Sequence, residues 1–272
     1  MNSISRIFSL CLISINILTA QIIEQLHFFP ESTYVSTFTA DAHAHRMEVE
    51  NIIFTKNERA SVGGVFPVFN LDLFGTVVQA NFGGSIHFEL NPMGQAHVVS
   101  NDYYVDYLLL DIPVQQFYFA RFITGHTSHH LSDNWYERLK LTSAIRYSRD
   151  YVKLCVIQET DVNNQLYVGA DYAYIFTVNG LRINKRWTLQ TGGKVSLAEV
   201  YPSIILYAAG DCKVRQEAKF AATNTVQLGF ATPMQKGKML RISYQFRTGL
   251  DERGQFFSQH RTLHTVGFSI EP

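Results

Sequence analysis

Leu240-Arg241-Ile242-Ser243-Tyr244-Gln245-Phe246-Arg247 decides the fold. Apolar and polar side chains alternate at every step. Successive side chains on a strand point to opposite faces, so this stretch is a β-strand with one apolar and one strongly polar face. The same period recurs where Leu166, Val168, Ala170, Tyr172, Tyr174 and Phe176 alternate with Gln165, Tyr167, Gly169, Asp171, Ala173 and Ile175. It returns where Phe220, Ala222, Asn224, Val226, Leu228 and Phe230 alternate with Lys219, Ala221, Thr223, Thr225, Gln227 and Gly229.

A soluble sandwich also alternates, and three features favour a membrane barrel instead. Several strand candidates reach the roughly 9 to 11 residues that cross a bilayer at a tilt. Aromatics cluster near strand ends, at Tyr103, Tyr104, Tyr147, Tyr151, Phe230 and Phe268, as interfacial girdles do. The polar faces carry charge in mid-strand, at Arg121, Arg146, Lys153, Asp171, Arg241 and Arg247, which suits a hydrated or ion-paired lumen. Pairing with Asp106, Asp171 or Glu89 inside a narrow barrel is favoured over a substrate path. The expected fold is all-β, a closed antiparallel transmembrane β-barrel of about 12 strands.

Candidate strands lie near 46–55, 60–70, 75–90, 102–113, 117–128, 139–148, 151–159, 164–178, 185–197, 203–211, 217–230, 238–248 and 262–270. This is an odd number, whereas single-chain bacterial barrels have even counts. The stretch 46–55 loses its alternation midway and is set aside. That leaves 21–58 as an N-terminal segment of uncertain path and 59–272 as the barrel. Ser148-Arg149-Asp150 and Val178-Asn179-Gly180 read as tight connections, and 91–101, 126–138 and 249–261 as long ones. Strand parity then puts the last long loop on the opposite side from the other two, against the habit of such barrels.

Arg6 followed by the apolar run Ile7 to Leu18 and Thr19-Ala20 predicts a signal peptide over 1–20. No later run approaches the roughly 20 apolar residues of a helical span. Lysine and arginine total 23, aspartate and glutamate 23, so there is no basic excess to suggest nucleic acid as a partner. Cys155 and Cys212 sit in different strand candidates, and two cysteines are not a disulfide framework.

Gly125-His126-Thr127-Ser128-His129-His130-Leu131-Ser132-Asp133-Asn134, followed by Arg146-Tyr147-Ser148-Arg149-Asp150 and Tyr167-Val168-Gly169-Ala170-Asp171-Tyr172, resembles a bacterial family known only as domain of unknown function 1207. Ala40-Asp41-Ala42-His43-Ala44-His45-Arg46 and Gly249-Leu250-Asp251-Glu252-Arg253-Gly254-Gln255-Phe256-Phe257 are similar to its N-terminal segment and last hairpin. This chain carries His129 where a second serine is usual, and Ser132-Asp133-Asn134 where glycine, aspartate and glutamate are usual. The resemblance implies an exported bacterial protein and supplies no activity; an outer-membrane barrel is in turn expected of a Gram-negative cell.

Chemistry centres on His126, Ser128, His129, His130, Asp133 and Glu137. On the strand from Phe117, Tyr118, Ala120 and Phe122 share a face, and extending it carries Thr124, His126 and Ser128 toward lipid. A histidine and a serine two apart can share the hydrogen bond that activates a hydroxyl. This His-x-Ser arrangement is similar to that of outer-membrane phospholipase A and the lipid A deacylases. Asp133 or Glu137, or the amide of Asn134, is expected to orient the imidazole. The same composition also suits a loop that caps strand ends. Neither His126, His129 and His130 nor His43 and His45 matches a zinc signature, and no metal or cofactor is expected. Gly63-Gly64, Gly83-Gly84 and Gly192-Gly193 read as bends or close approaches. The leading reading is an outer-membrane barrel with a structural role or one of binding through its outer loops, with membrane lipid as its partner. The alternative is a lipid acyl hydrolase using Ser128 and His126.

Overall fold

A computed structural model describes residues 26–91, 97–140 and 146–271. The expected signal peptide lies outside them. The strands are β1 (Leu26–Phe28), β2 (Met47–Ile52), β3 (Glu58–Leu73), β4 (Thr76–Asn91), β5 (His97–Gln115), β6 (Tyr118–Leu131) and β7 (Arg146–Asp161). They continue as β8 (Asn164–Val178), β9 (Leu181–Arg182), β10 (Trp187–Tyr201), β11 (Ile204–Arg215), β12 (Ala221–Pro233), β13 (Met239–Leu250) and β14 (His260–Glu271). A helix, α1 (Asp133–Leu139), follows β6.

Each wall strand pairs antiparallel with its neighbour in the chain, apart from the β8–β10 pairing that skips β9. β2 closes the ring by pairing with both β14 and β3. Without β1 and β9, this is a closed barrel of twelve strands. Closure satisfies backbone groups that an open edge would leave bare in lipid. The outer face carries apolar rows such as Phe230, Ile242, Phe268 and Val49, which are cross-strand neighbours in successive strands. All four are exposed. That is the side-chain arrangement of a lipid-facing wall.

The lumen is filled rather than open. Residues 30–46 run inside it, between β1 and β2. Phe38 stacks on Tyr167 with ring centroids 3.8 Å apart and packs with Val35, Cys155 and Ile157. Higher up, Asp41 meets Lys213 and accepts from Gln190 at 2.9 Å. His43 stacks on Tyr104 at 4.5 Å, and His45 bonds Ser85 at 2.8 Å and Asp106 at 3.1 Å. A Cβ on Gly83 would stand 2.6 Å from the His45 ring, so glycine is what lets the segment lie against the wall. A cavity of about 150 Å³ remains, lined by Phe38, Asp41, His43, Lys153 and Lys213 among others.

The loop 251–259 covers the lumen from the other end. Glu252 meets Arg247, and Arg59 at 2.9 Å, while Arg253 reaches Glu89 at 2.9 Å. Burial alone would raise the Glu252 carboxyl, but Arg247 and Arg59 outweigh that and hold it well below the usual carboxylate range. Deeper in the wall, Arg121 grips Asp111 with two bonds of 2.6 and 2.9 Å, and Arg241 bonds Glu271 at 2.8 Å. Pairing of this kind is what makes buried charge tolerable.

The strand assignment needs two corrections, and they cancel in the count. The stretch 46–55, set aside in the sequence, contains β2, a wall strand that alternates for only six residues. The candidates 139–148 and 151–159 belong to a single strand, β7, so Ser148-Arg149-Asp150 is mid-strand and not a turn. Its polarity reflects pairing across the wall: Arg149 points into the lumen to Asp171 at 2.8 Å, and Asp150 points out. With one strand there, the ends of β4, β6 and β13 and the starts of β5, β7 and β14 all fall at one end, and the parity conflict disappears. The opposite end has the tight turns at 73–76, 115–118, 161–164 and 201–204. Three girdle candidates also face inward: Tyr104 and Tyr147 are buried, and Tyr151 donates to Asp106 at 2.7 Å. Phe176, expected on the outer face, is buried beside Tyr147 because the register shifts at Asp150/Tyr151. Cys155 and Cys212 are both free thiols.

Candidate active site on the outer wall

Along β6 the buried residues Arg121, Ile123, Thr127, His129 and Leu131 alternate with partly exposed Phe122, Thr124, His126 and Ser128, followed by exposed His130. The outer side of β6 therefore starts apolar and turns polar toward the loop end. Neighbouring strands extend the polar part, because His126 pairs with Asp150, Ser128 with Ser148 and His130 with Arg146 in the β6–β7 register. Tyr103 on β5 stands opposite Ser128.

Asp150 Oδ1 lies 2.6 Å from His126 Nδ1. A neutral ring donates its Nδ1–H to that carboxylate and leaves Nε2 with its lone pair free, the tautomer of a general base. Ser128 Oγ lies 2.7 Å from His130 Nε2. The hydroxyl thus stands between two imidazoles on one face and, in this conformation, is held by the further one. Arg146 lines an open depression with Ser128, His130, Ser148 and the turn Asn179-Gly180. It also lines the adjoining one with Tyr103, His130 and Asp133.

The loop after β6 is shaped by its sequence. Ser132 caps α1 by accepting from the Trp135 N–H, Asp133 sits in the first turn, Arg138 in the last, and Lys140 ends the helix at φ 52°. Asp133 and Glu137 are exposed on this helix, and the carboxylate that reaches His126 is Asp150. Of the charges expected in the lumen, Arg121, Lys153, Asp171, Arg241 and Arg247 line or fill it, paired or hydrogen-bonded. Arg146 is exposed at the end of β7, beside Ser128.

Two similar chains lie on the inner side of the wall. Thr127 Oγ1 is 2.8 Å from His129 Nε2, whose Nδ1 is 3.0 Å from Asp102. Ser85 is bonded to His45, which reaches Asp106. All six are buried, and Thr127, His129, His45 and Asp106 line the lumen cavity. The outer group combines a hydroxyl and an imidazole–carboxylate pair on a partly exposed face of the wall. Among the described residues no cluster of histidine, cysteine and carboxylate groups fits a metal ion.

Solved structures similar to this chain are outer-membrane barrels. Outer membrane phospholipase A from Escherichia coli aligns at 14% identity over 84% of this chain and 96% of that one, with a TM-score of 0.49. The calcium-bound outer membrane phospholipase dimer of Salmonella typhi gives 14%, 90%, 92% and 0.48. The NanC porin gives 14%, 84%, 100% and 0.42. No curated protein matches. The sequence pattern of the family described as Protein of unknown function (DUF1207) matches residues 6–271, nearly the whole chain, and the chain belongs to that family.

Proposed function

We propose that this barrel sits in the outer membrane, loop end outward, and hydrolyses acyl esters of membrane lipid at its outer wall. One observation carries the reading: the His126–Asp150 pair at 2.6 Å, with a serine hydroxyl two residues along on the same lipid-facing side. In the proposed reaction Ser128 turns about its Cα–Cβ bond from His130 to His126, attacks the ester carbonyl and gives its proton to His126 Nε2. Asp150 holds the ring and stabilises the imidazolium. The leaving alcohol takes that proton. Water, deprotonated by the same histidine, then releases the fatty acid and restores the serine. Arg146 supplies positive charge toward the oxyanion. The tight turns at the end opposite the loops support the orientation, since such barrels keep short turns on the periplasmic side.

The Ser128–His130 bond favours a second reading, a sealed barrel with a structural or loop-binding role in which these residues stabilise the strand end. Fatty-acid release from phospholipid vesicles separates the two. The expected result is release by the wild type, loss by at least about a hundredfold in Ser128→Ala and His126→Ala alike, and substantial activity in His130→Ala. Absence of release by the folded wild type would contradict hydrolysis. Loss in His130→Ala with none in His126→Ala would overturn the assignment of the base.

A further inference from the structure

The chain is neutral overall, yet exposed cations gather at the loop end, where they outnumber the exposed carboxylates Asp133 and Glu137 of α1. Arg138 and Lys140 at the end of α1, Arg146 at the start of β7, and Arg182 and Lys185 around β9 are all exposed, with Arg186 half-buried beside them. None of the six forms a salt bridge among the described residues, whereas most cations of the lumen do, Arg121, Arg149, Arg241 and Arg247 among them. The two segments that carry them bracket the depression holding Ser128 and Arg146, whose rim is the turn Asn179-Gly180 leading into β9. At the tight-turn end the exposed charges include the carboxylates Glu31, Asp161 and Glu199 against the cation Lys238.

Aromatic rings stand among these cations. Arg138 lies over Trp135 at 5.1 Å and Arg186 over Tyr172 at 5.9 Å, and Tyr172 packs on Trp187 at 4.9 Å. Tryptophan and tyrosine with flanking cations are the side chains that settle at the headgroup level of a bilayer. We infer that this cationic face binds the phosphate groups of anionic membrane lipid and holds such lipids beside Ser128. Five cations left exposed and unpaired next to a lipid-facing wall have a ready counterion in headgroup phosphate, and each lysine or arginine near such a surface strengthens binding about fivefold. The part of the inference that makes anionic lipid the preferred substrate rests on the hydrolase reading. The binding itself does not.

The test uses the chain's two tryptophans, Trp135 and Trp187, both of which lie on this face. Full-length protein is refolded into phosphatidylcholine vesicles doped with headgroup-spin-labelled lipid of either phosphatidylglycerol or phosphatidylcholine type, and quenching of tryptophan fluorescence is measured. The expected result is stronger quenching by the anionic lipid, diminished by salt. Arg182→Glu with Lys185→Glu, and separately Arg138→Glu with Lys140→Glu, should each lower the preference by about tenfold or more. Folding of the variants is checked by heat-modified gel mobility, and the milder glutamine versions should lower the preference less. Equal quenching by the two lipids, or a preference that survives both folded double variants, overturns the inference. Ser128→Ala separates it from the hydrolase reading, because it should keep the anionic preference. Preference without fatty-acid release in the wild type would remove the hydrolase and keep the binding face. Release from both lipids without preference would do the reverse.

Discussion

Arg241 and Ile242 are neighbours in the chain that face different media. Arg241 is wholly buried in the lumen on Glu271, and Ile242 stands 56% exposed between Phe230 and Phe268 on the outer wall. Because strand period is two, a charge placed at 242 has no lumen to turn to. Ile242→Arg is expected to cost about 2–4 kcal/mol when folding is measured in a bilayer. A loss below about 0.5 kcal/mol would mean that this face does not meet lipid. The same logic made much of the site legible: the alternation along β6 puts His126 and Ser128 outside from sequence alone. Asp150 was hidden because its link to His126 depends on the β6–β7 register across a loop that includes a helix, and register is not written in local pattern. Asp133 and Glu137 are nearer in sequence, but the carboxylate bonded to His126 comes from the neighbouring strand.

At the scale of elements, the decisive piece is the segment 30–46. Its sequence has no strong period, since its side chains answer to the lumen rather than to a pleat: Phe38 to Tyr167, Asp41 to Lys213, His45 to Asp106. Its path could not be read in advance for that reason. β2, which follows it, alternates over only six residues, too few to stand out, and β7 reads as two strands because Ser148-Arg149-Asp150 has turn composition while its side chains pair across the wall. With this segment in place the lumen is filled by its side chains and their partners. In planar bilayers the full chain should show no steady conductance. A variant lacking 30–44, with β2 retained to close the ring, should open a conducting lumen. Equal conductance of the two would show that other groups seal the barrel.

At the scale of the whole molecule, the barrel class and its twelve strands were legible in strand length, alternation and mid-strand charge. The added β2 and the single β7 offset one another in the count, and the single β7 brings the long connections to one end. What emerges is a wall with apolar rows outside, a lumen filled by ion pairs and the N-terminal segment, and one hydroxyl–imidazole–carboxylate group facing out near the loop end. That outer group is the one the proposed hydrolysis uses. The most direct measurement is labelling of the folded protein in vesicles by a lipophilic fluorophosphonate, which reacts with activated serines, followed by peptide mass spectrometry. The account predicts a single adduct on Ser128, abolished by His126→Ala, sharply reduced by Asp150→Ala and retained in His130→Ala. A folded wild-type barrel that takes up no label at Ser128 would contradict it.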